Sequence, residues 1–391
     1  MIVVVGAGPA GIAAALSARE CGAPVTVIDD NPAPGGQLWR GETASPWVAR
    51  FLSSGIPVRT GTRIISGEAR AQTLLLESPE GGVTLRYEKL VLATGSRELF
   101  LPFPGWTLPG VVGAGGLHAL VKSGLSVKGK KIVVGGTGPL LLAVAAHLRR
   151  HGAEIRVIAE QATLPALAGF AKELLRHPKK LRQGGGLAWC LAGIPFHTNC
   201  VVESAAGEGR VRQVTLRQGG RTWTETCDYA AIGYGLVPNN ELATFLGDSP
   251  SVFVAGTGDA ELSLLEGEFA GFSAAGHPER AAALLPRLRK ARRFAAALQQ
   301  AFALRPELKS LPLPDTIVCR CEDVTLDRLR GFPGARAAKL QTRCGMGPCQ
   351  GRICGPATEF LFGWTAGSLR PPLFPASVGT LCAASLPATT E

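Results

Sequence analysis

An α/β fold is predicted, with two strand–turn–helix–strand domains and a small Cys-rich helical module after them, from three features of the chain. A strand-like run, Ile2–Val5, opens onto Gly6-x-Gly8-x-x-Gly11 and an Ala-rich helix. The same order returns 130 residues later, where Lys131 precedes IVVGGTGP and a second helix. Five of the ten cysteines fall between Cys319 and Cys354, too local for a disulfide scaffold and suited to a metal or redox centre.

Composition agrees with these elements. At 391 residues the chain has room for two or three domains. Its 46% hydrophobic and 18% charged residues exclude a disordered chain, and its 50 Gly and 28 Pro follow no period, which excludes a fibrous one. The longest apolar stretch, Ile132 to Leu148, is interrupted by Gly135, Gly136, Gly138 and Pro139, so no spanning helix is expected. The opening MIVVVGAGPAG lacks a basic leader region, and the chain is expected to be cytoplasmic, with any membrane contact peripheral and at the inner face. The net charge of +11 is scattered, dense only from Arg287 to Arg293. Without a nucleic-acid motif this excludes nucleic acid as the expected partner; a partner protein, anionic cofactors or an anionic membrane surface account for the charge equally well.

In chain order, Val25 to Asp29 closes the first βαβ unit, and IVVGGTGP, LLLAVAAHLRRHG and EIRVIAE build the second. Residues 161–194 alternate helical spacing with Pro165, Pro178 and the run Gly184–Gly186, and read as an excursion. Thr215 to Thr226 reads as a meander, and CDYAAIGYG and VFVAGTGD as buried strands. A helix with Leu288, Ala291, Ala295, Leu298 and Phe302 on one face leads to the hinge LPLPD. The expected domains are 1–125 with 245–280, then 126–244, a helical linker 281–312, and a Cys-rich module with tail, 313–391.

In the first turn Gly6 permits the tight bend, Gly8 lets a pyrophosphate approach the backbone, and Gly11 allows close helix–strand packing. Asp29 ends the next strand 23 residues after Gly6, where a carboxylate can accept from a ribose; Asp30 is the adjacent alternative. The second turn, Gly136-Thr137-Gly138-Pro139-Leu140-Leu141, has Leu141 in place of the third glycine, and Glu160 lies 24 residues beyond Gly136 as a ribose acceptor. Three states stay open for it: an NAD(P)H site, a non-redox nucleotide such as ATP, and a vacant remnant. The six histidines read as dispersed, and Cys21, Cys190, Cys200, Cys227 and Cys382 as plain thiols. No C-x-x-C occurs, so dithiol chemistry lacks its residues, and no side chain is assigned a catalytic role.

Cys319-x-Cys321 is followed after 27 residues by Cys349-x4-Cys354. Four thiolates from two short clusters suit a [2Fe-2S] cluster or zinc, and the one-residue gap favours iron. Cys344 has the same spacing to Cys349 as Cys349 has to Cys354, so spacing alone leaves it eligible.

PAPGGQLW, VLATGS and VFVAGTGD resemble the FAD-surrounding segments of glutathione-reductase-like flavoproteins over most of residues 1–275. That resemblance implies FAD, with Gly36 and Gln37 near the flavin, Thr94 and Gly95 under the adenosine, and Asp259 towards the ribityl or phosphate, although Thr257 stands where the family has its acid. VCRCEDVT and TRCGMGPCQGRICG resemble the bacterioferritin-associated-ferredoxin-like domain carried by α subunits of heteromeric flavin dehydrogenases: opine, D-hydroxyproline and dye-linked proline dehydrogenases and hydrogen cyanide synthase. The resemblance makes Cys319, Cys321, Cys349 and Cys354 the cluster ligands. It implies electron transfer from an amino or imino acid oxidised on a D-amino-acid-oxidase-like β subunit, with FMN between the subunits in some members, and it leaves a small ferredoxin-like γ subunit open. The alternative from the residues is a stand-alone NAD(P)H-dependent reductase of a ferredoxin or small acceptor.

Overall fold

The computed structural model describes residues 1–41, 45–256, 259–365 and 369–383. They form two compact units. The first comprises 1–97, 238–295 and the tail 369–383; the second comprises 98–237 and 296–365.

The first unit is built on a five-stranded parallel sheet ordered Val252–Val254, Lys89–Leu92, Ile2–Val5, Val25–Ile28, Val58–Arg59. Its central strands are continuous aliphatic runs, as expected of strands covered on both faces. On one face the helix Pro9–Glu20 lies against Ala260–Ala274. A Cβ at Gly267 would stand 2.1 Å from Ala10 O and one at Gly271 2.3 Å from Ala14 O, so the two helices meet backbone to backbone and only glycine fits there. An antiparallel sheet, Arg63–Glu68, Thr73–Ser78 and Gly81–Arg86, completes the unit.

The second unit repeats the plan with the parallel order Phe196–His197, Glu154–Glu160, Lys131–Gly136, Tyr229–Gly233, Val111–Gly113. Its antiparallel sheet is Cys200–Ala206, Gln213–Gln218 and Arg221–Thr226, which includes the expected meander.

Several expectations change. The sequence places residues 98–125 in the first domain, but Val111–Gly113 pairs with Tyr229–Gly233 and the helix Ala114–Lys122 buries Leu117 and Val121 in the second unit's core. The Cys-rich module has a core of its own around Val318, Val324, Leu329 and Trp364, yet groups with the second unit, while the tail belongs to the first. The tail is drawn there by Leu373, which joins the core of the antiparallel sheet, and by Glu77, whose carboxylate accepts from Ser377 N and Thr380 Oγ1 at 2.8 Å each. Those donors hold the Glu77 carboxyl below its ordinary value. Gly184–Gly186 does not break the excursion: it lies inside the helix Pro178–Cys190, which follows Leu164–Leu174. The linker is two helices, Pro278–Ala283 and Leu285–Ala301, separated where Pro286 starts the second.

Candidate functional site

The first Gly turn joins Ile2–Val5 to Pro9–Glu20. A Cβ at Gly6, where φ is +100°, would fall 2.2 Å from Ala93 O, and one at Gly11 would fall 1.7 Å from Gly6 O. At Gly8 the nearest atom to an added Cβ is Gly36 Cα, 3.9 Å away. Space is therefore kept open in front of Gly8, at the N-terminus of a helix whose first amides lack intrahelical partners. These residues fit the diphosphate of a dinucleotide. Gly36 lies beside Gly8, Gly35 N donates to Ala7 O at 2.8 Å, and Gln37 is exposed on the same turn.

The acid at the end of the second strand is already bonded within the chain. Asp29 is 5% exposed, and its carboxylate accepts from Ala7 N at 2.5 Å and from Asn31 N and Nδ2 at 2.7 Å each. It holds the turn together. Asp30 lies at the surface side, its carboxyl raised chiefly by burial and by Asp29. Thr94 and Gly95 are fixed by a residue the sequence did not signal: Asn239 donates through Nδ2 to Thr94 O at 2.9 Å and through N to Gly95 O at 2.9 Å, while Thr94 Oγ1 donates to Asn239 O at 2.5 Å. Asp259 is the N-cap of Ala260–Ala274 and accepts from Leu262 N at 3.0 Å, so its carboxylate serves the helix. Thr257 lies outside the described residues.

The second turn is the same shape with a different use of its acid. Glu160, 2% exposed, accepts from Thr137 Oγ1 at 2.8 Å and from Gly138 N and Ala162 N at 2.7 Å each. The amide of the second glycine, which a pyrophosphate needs, is thus held by the chain's own carboxylate. The segment Phe302–Arg305 then lies over the turn. Gln161 Nε2 donates to Thr137 Oγ1 at 2.9 Å and to Ala303 O at 3.1 Å, Arg305 N donates to Gln161 Oε1 at 3.3 Å, and Phe302 meets Phe170 edge to face. Leu141, in the third-glycine position, is buried, and its amide bonds three residues back to Gly138 O, whereas in the first turn Ile12 N bonds four back to Gly8 O. The helix enters differently to admit the leucine. The turn's acid and its second glycine are thus engaged with each other, while a Cβ at Gly138 would meet nothing within 4 Å.

The cysteine centre draws on four local elements. Cys319 ends the strand Ile317–Cys319, Cys321 follows it, Cys344 and Cys349 sit in the loop after the helix Ala335–Thr342, and Cys354 starts Cys354–Phe362. The sulfurs of Cys319, Cys344 and Cys354, all buried, lie within 4.8 Å of one another. Cys321 and Cys349 meet each other nearer the surface. Arg343, Gly345, Gln350 and Gly351 take positive φ, turning the loop around the sulfurs. The thiols of Cys344 and Cys354 and the amides of Gly345 and Glu322 donate to Cys319, pulling its thiol well below the ordinary range. Donation to Cys319 pushes Cys344 up to about 12 and Cys354 upward as well. The sequence-predicted four are therefore split between a buried triad, where Cys319 and Cys354 are joined by Cys344, and a pair nearer the surface, Cys321 with Cys349. These thiols are compatible with an iron–sulfur site.

The histidines also regroup. His147 lies between His118, which it meets edge to face, and His151, with ring centroids 4.2 Å away on each side. His147 and His151 are four residues apart on one helix, a spacing visible in the sequence.

The family described as pyridine nucleotide-disulphide oxidoreductase matches residues 1–251. One opine oxidase subunit of Rhizobium meliloti is 33% identical over 96% of this chain and 97% of its own. The hydrogen cyanide synthase subunit HcnB of Pseudomonas aeruginosa is 29% identical over 90% of each. Among solved structures, L-proline dehydrogenase from P. horikoshii shares the fold, with a TM-score of 0.73 at 18% identity over 97% of this chain and 78% of that one.

Proposed function

The chain belongs to the pyridine nucleotide-disulphide oxidoreductase family, and from that premise we propose that it is the electron-transferring α-type subunit of a heteromeric flavin dehydrogenase, whose amino- or imino-acid substrate, of D-hydroxyproline, proline or opine type, is oxidised on a partner β subunit. The observation that carries this reading is the second turn's use of its acid: Gly138 N donates to Glu160, and Phe302–Arg305 bond to the turn through Gln161, which supports a donor other than a pyridine nucleotide. The relatives are named as subunits of opine oxidase and of hydrogen cyanide synthase, which supports a partner chain and a substrate with an oxidisable C–N bond.

In this reading the Gly6–Gly11 turn and the N-terminus of Pro9–Glu20 hold the diphosphate of FAD, and Gly36, Gln37, Thr94 and Gly95 shape the groove beside it. Cys319, Cys321, Cys349 and Cys354 hold a [2Fe-2S] cluster, with the Gly345 amide turned towards the sulfurs. FAD supplies two-electron chemistry and the cluster one-electron chemistry when bound. FMN at the interface with a D-amino-acid-oxidase-like β subunit, and a small γ subunit, complete the proposed assembly.

The test is to purify the subunits separately and mix them anaerobically with cyclic imino acids and opines. The isolated chain should oxidise none of them, the complex should reduce an artificial dye, and this chain's visible absorption should bleach only in the complex. Substrate oxidation by the isolated chain, or bleaching by NADH faster than by the partner, replaces this reading with the reductase.

A further inference from the structure

The helical excursion of the second unit turns apolar residues outward. On Leu164–Leu174 and the residue that caps it, Leu164, Ala168, Ala171 and Leu175 are all exposed and spaced i, i+4, i+7 and i+11, one face of a helix. On Pro178–Cys190 the same holds for Leu181, Gly185 and Trp189. Exposure reaches 67% at Leu164, 68% at Leu175 and 85% at Trp189. The opposite faces are the ones that pack inward, through Phe170 on Phe302 and through Leu187 and Cys190 at the edge of the core. The second helix buries no residue and carries three successive glycines, whose Cβ positions would meet nothing within 4 Å. Glycine is the poorest helix former after proline, so this helix rests on little more than Leu187 and Cys190 at the core's edge, and its outer apolar stripe is available to an external surface.

Charge identifies the surface. Lys172, Arg176, Lys179 and Arg182 are exposed along the two helices, with Lys180 beside them. Between Gln161 and Val202 the only acid is Glu173, which pairs with Arg176 at 2.5 Å and with His177 at 3.4 Å. Lysine is depleted in the buried centre of protein–protein interfaces, whereas Trp and Leu flanked by Lys and Arg are the composition of helices lying in a bilayer interface. Among the described residues no helix is long and apolar enough to cross a membrane, so contact would be flat. We infer that the helices 164–190 dock the chain on an anionic lipid surface, with Leu164, Leu175, Leu181 and Trp189 entering the headgroup boundary and the basic side chains meeting lipid phosphates.

The experiment is co-sedimentation of the full chain with vesicles of phosphatidylcholine alone and of phosphatidylcholine with phosphatidylglycerol. Binding to the anionic vesicles is expected. It should weaken about tenfold in Trp189→Ala and about twenty-fivefold in the Lys172→Gln/Lys179→Gln double variant, at roughly fivefold per charge. Trp fluorescence should shift to the blue on binding, and the shift should vanish in Trp189→Phe. Melting curves serve as the fold control. No sedimentation with either vesicle, equal sedimentation with both, or binding unchanged in Trp189→Ala overturns the inference. Shielding of Trp189 by a co-purifying subunit, with vesicles leaving it open to quencher, assigns the face to a protein and overturns it too.

Discussion

Replacing Gly8 by valine separates ligand binding from folding, because the three glycines of the first turn are glycines for different reasons. Gly8 has φ −78° and ψ −173°, an extended conformation open to any residue. An added Cβ there meets only Gly36 Cα at ordinary contact distance. The folded chain should accept the Gly8→Val change within about 1 kcal/mol, the scale on which a less flexible residue also restricts the unfolded chain. What the branched side chain blocks is the space in front of the helix amides. Losing two charge-assisted hydrogen bonds to a pyrophosphate, at about 1.5–3 kcal/mol each, weakens FAD by roughly two to four orders of magnitude. Gly11→Ala is the contrast: its methyl would lie 1.7 Å from Gly6 O, forcing strand and helix apart at a cost of at least about 1–3 kcal/mol. FAD per chain after purification and apoprotein titration read the first effect, and thermal melting reads the second. Wild-type FAD content in Gly8→Val places the nucleotide elsewhere, and a collapsed melting temperature in that variant refutes the reasoning about open space.

Cys349→Ser and Cys354→Ser should lose the cluster's absorption and the iron, about two per chain, while Cys344→Ser keeps both; cluster loss in Cys344→Ser would promote the buried triad to the ligand set, and stoichiometric zinc in protein purified without oxygen would contradict iron. Asp29→Ala should cost about 1–3 kcal/mol in urea unfolding, since it leaves the Ala7 and Asn31 amides without their acceptor; a loss confined to FAD affinity would restore the ribose role. Burial, then His118 and His151, push His147 down to about 4. Between that value and the ordinary 6.5 the unfolded chain binds more protons, so stability falls as pH drops through this window, and His147→Gln should flatten the dependence of the urea midpoint on pH; equal slopes in the two proteins would rule the histidine out.

The repeated unit was legible because it rests on local signals: a strand, spaced glycines, then a helix, read at Gly6 and again at Gly136. The domain boundary was not, because residues 98–125 carry ordinary strand and helix patterns whose sheet is chosen by pairing with Tyr229–Gly233, a partner more than a hundred residues away. Gly184–Gly186 misled for the reverse reason. Glycine signals a break when the chain is free to bend, and here Leu187 and Cys190 hold the helix at the core's edge. Asn239 had no motif at all, since its role depends on the Thr94 turn meeting it in space. The cysteine spacing found the centre but could not rank Cys344, because the left-handed residues of the 343–351 loop fold it back beside Cys319.

The two acids that end the second strand of each unit looked equivalent in sequence, and their length separates them. Asp29 reaches the amide of Ala7, one residue short of Gly8, and leaves the Gly8 position open. Glu160, longer by one methylene, reaches Gly138 N and the Thr137 hydroxyl and so engages the amide of the second glycine itself. Glu160→Ala tests this directly. If Glu160 were a ribose ligand, its removal would spare the nucleotide-free protein and lower only nucleotide affinity. As a buried acceptor for three donors, its removal should cost about 3–9 kcal/mol, at 1–3 kcal/mol for each donor left unpaired. For a unit of this size that is a fall of roughly 10–30 °C in melting temperature. The measurement is a melting curve with and without NADH, which should superimpose in the wild type. A variant that melts with the wild type, or a wild type stabilised by NADH, would mean the second turn is open to nucleotide after all.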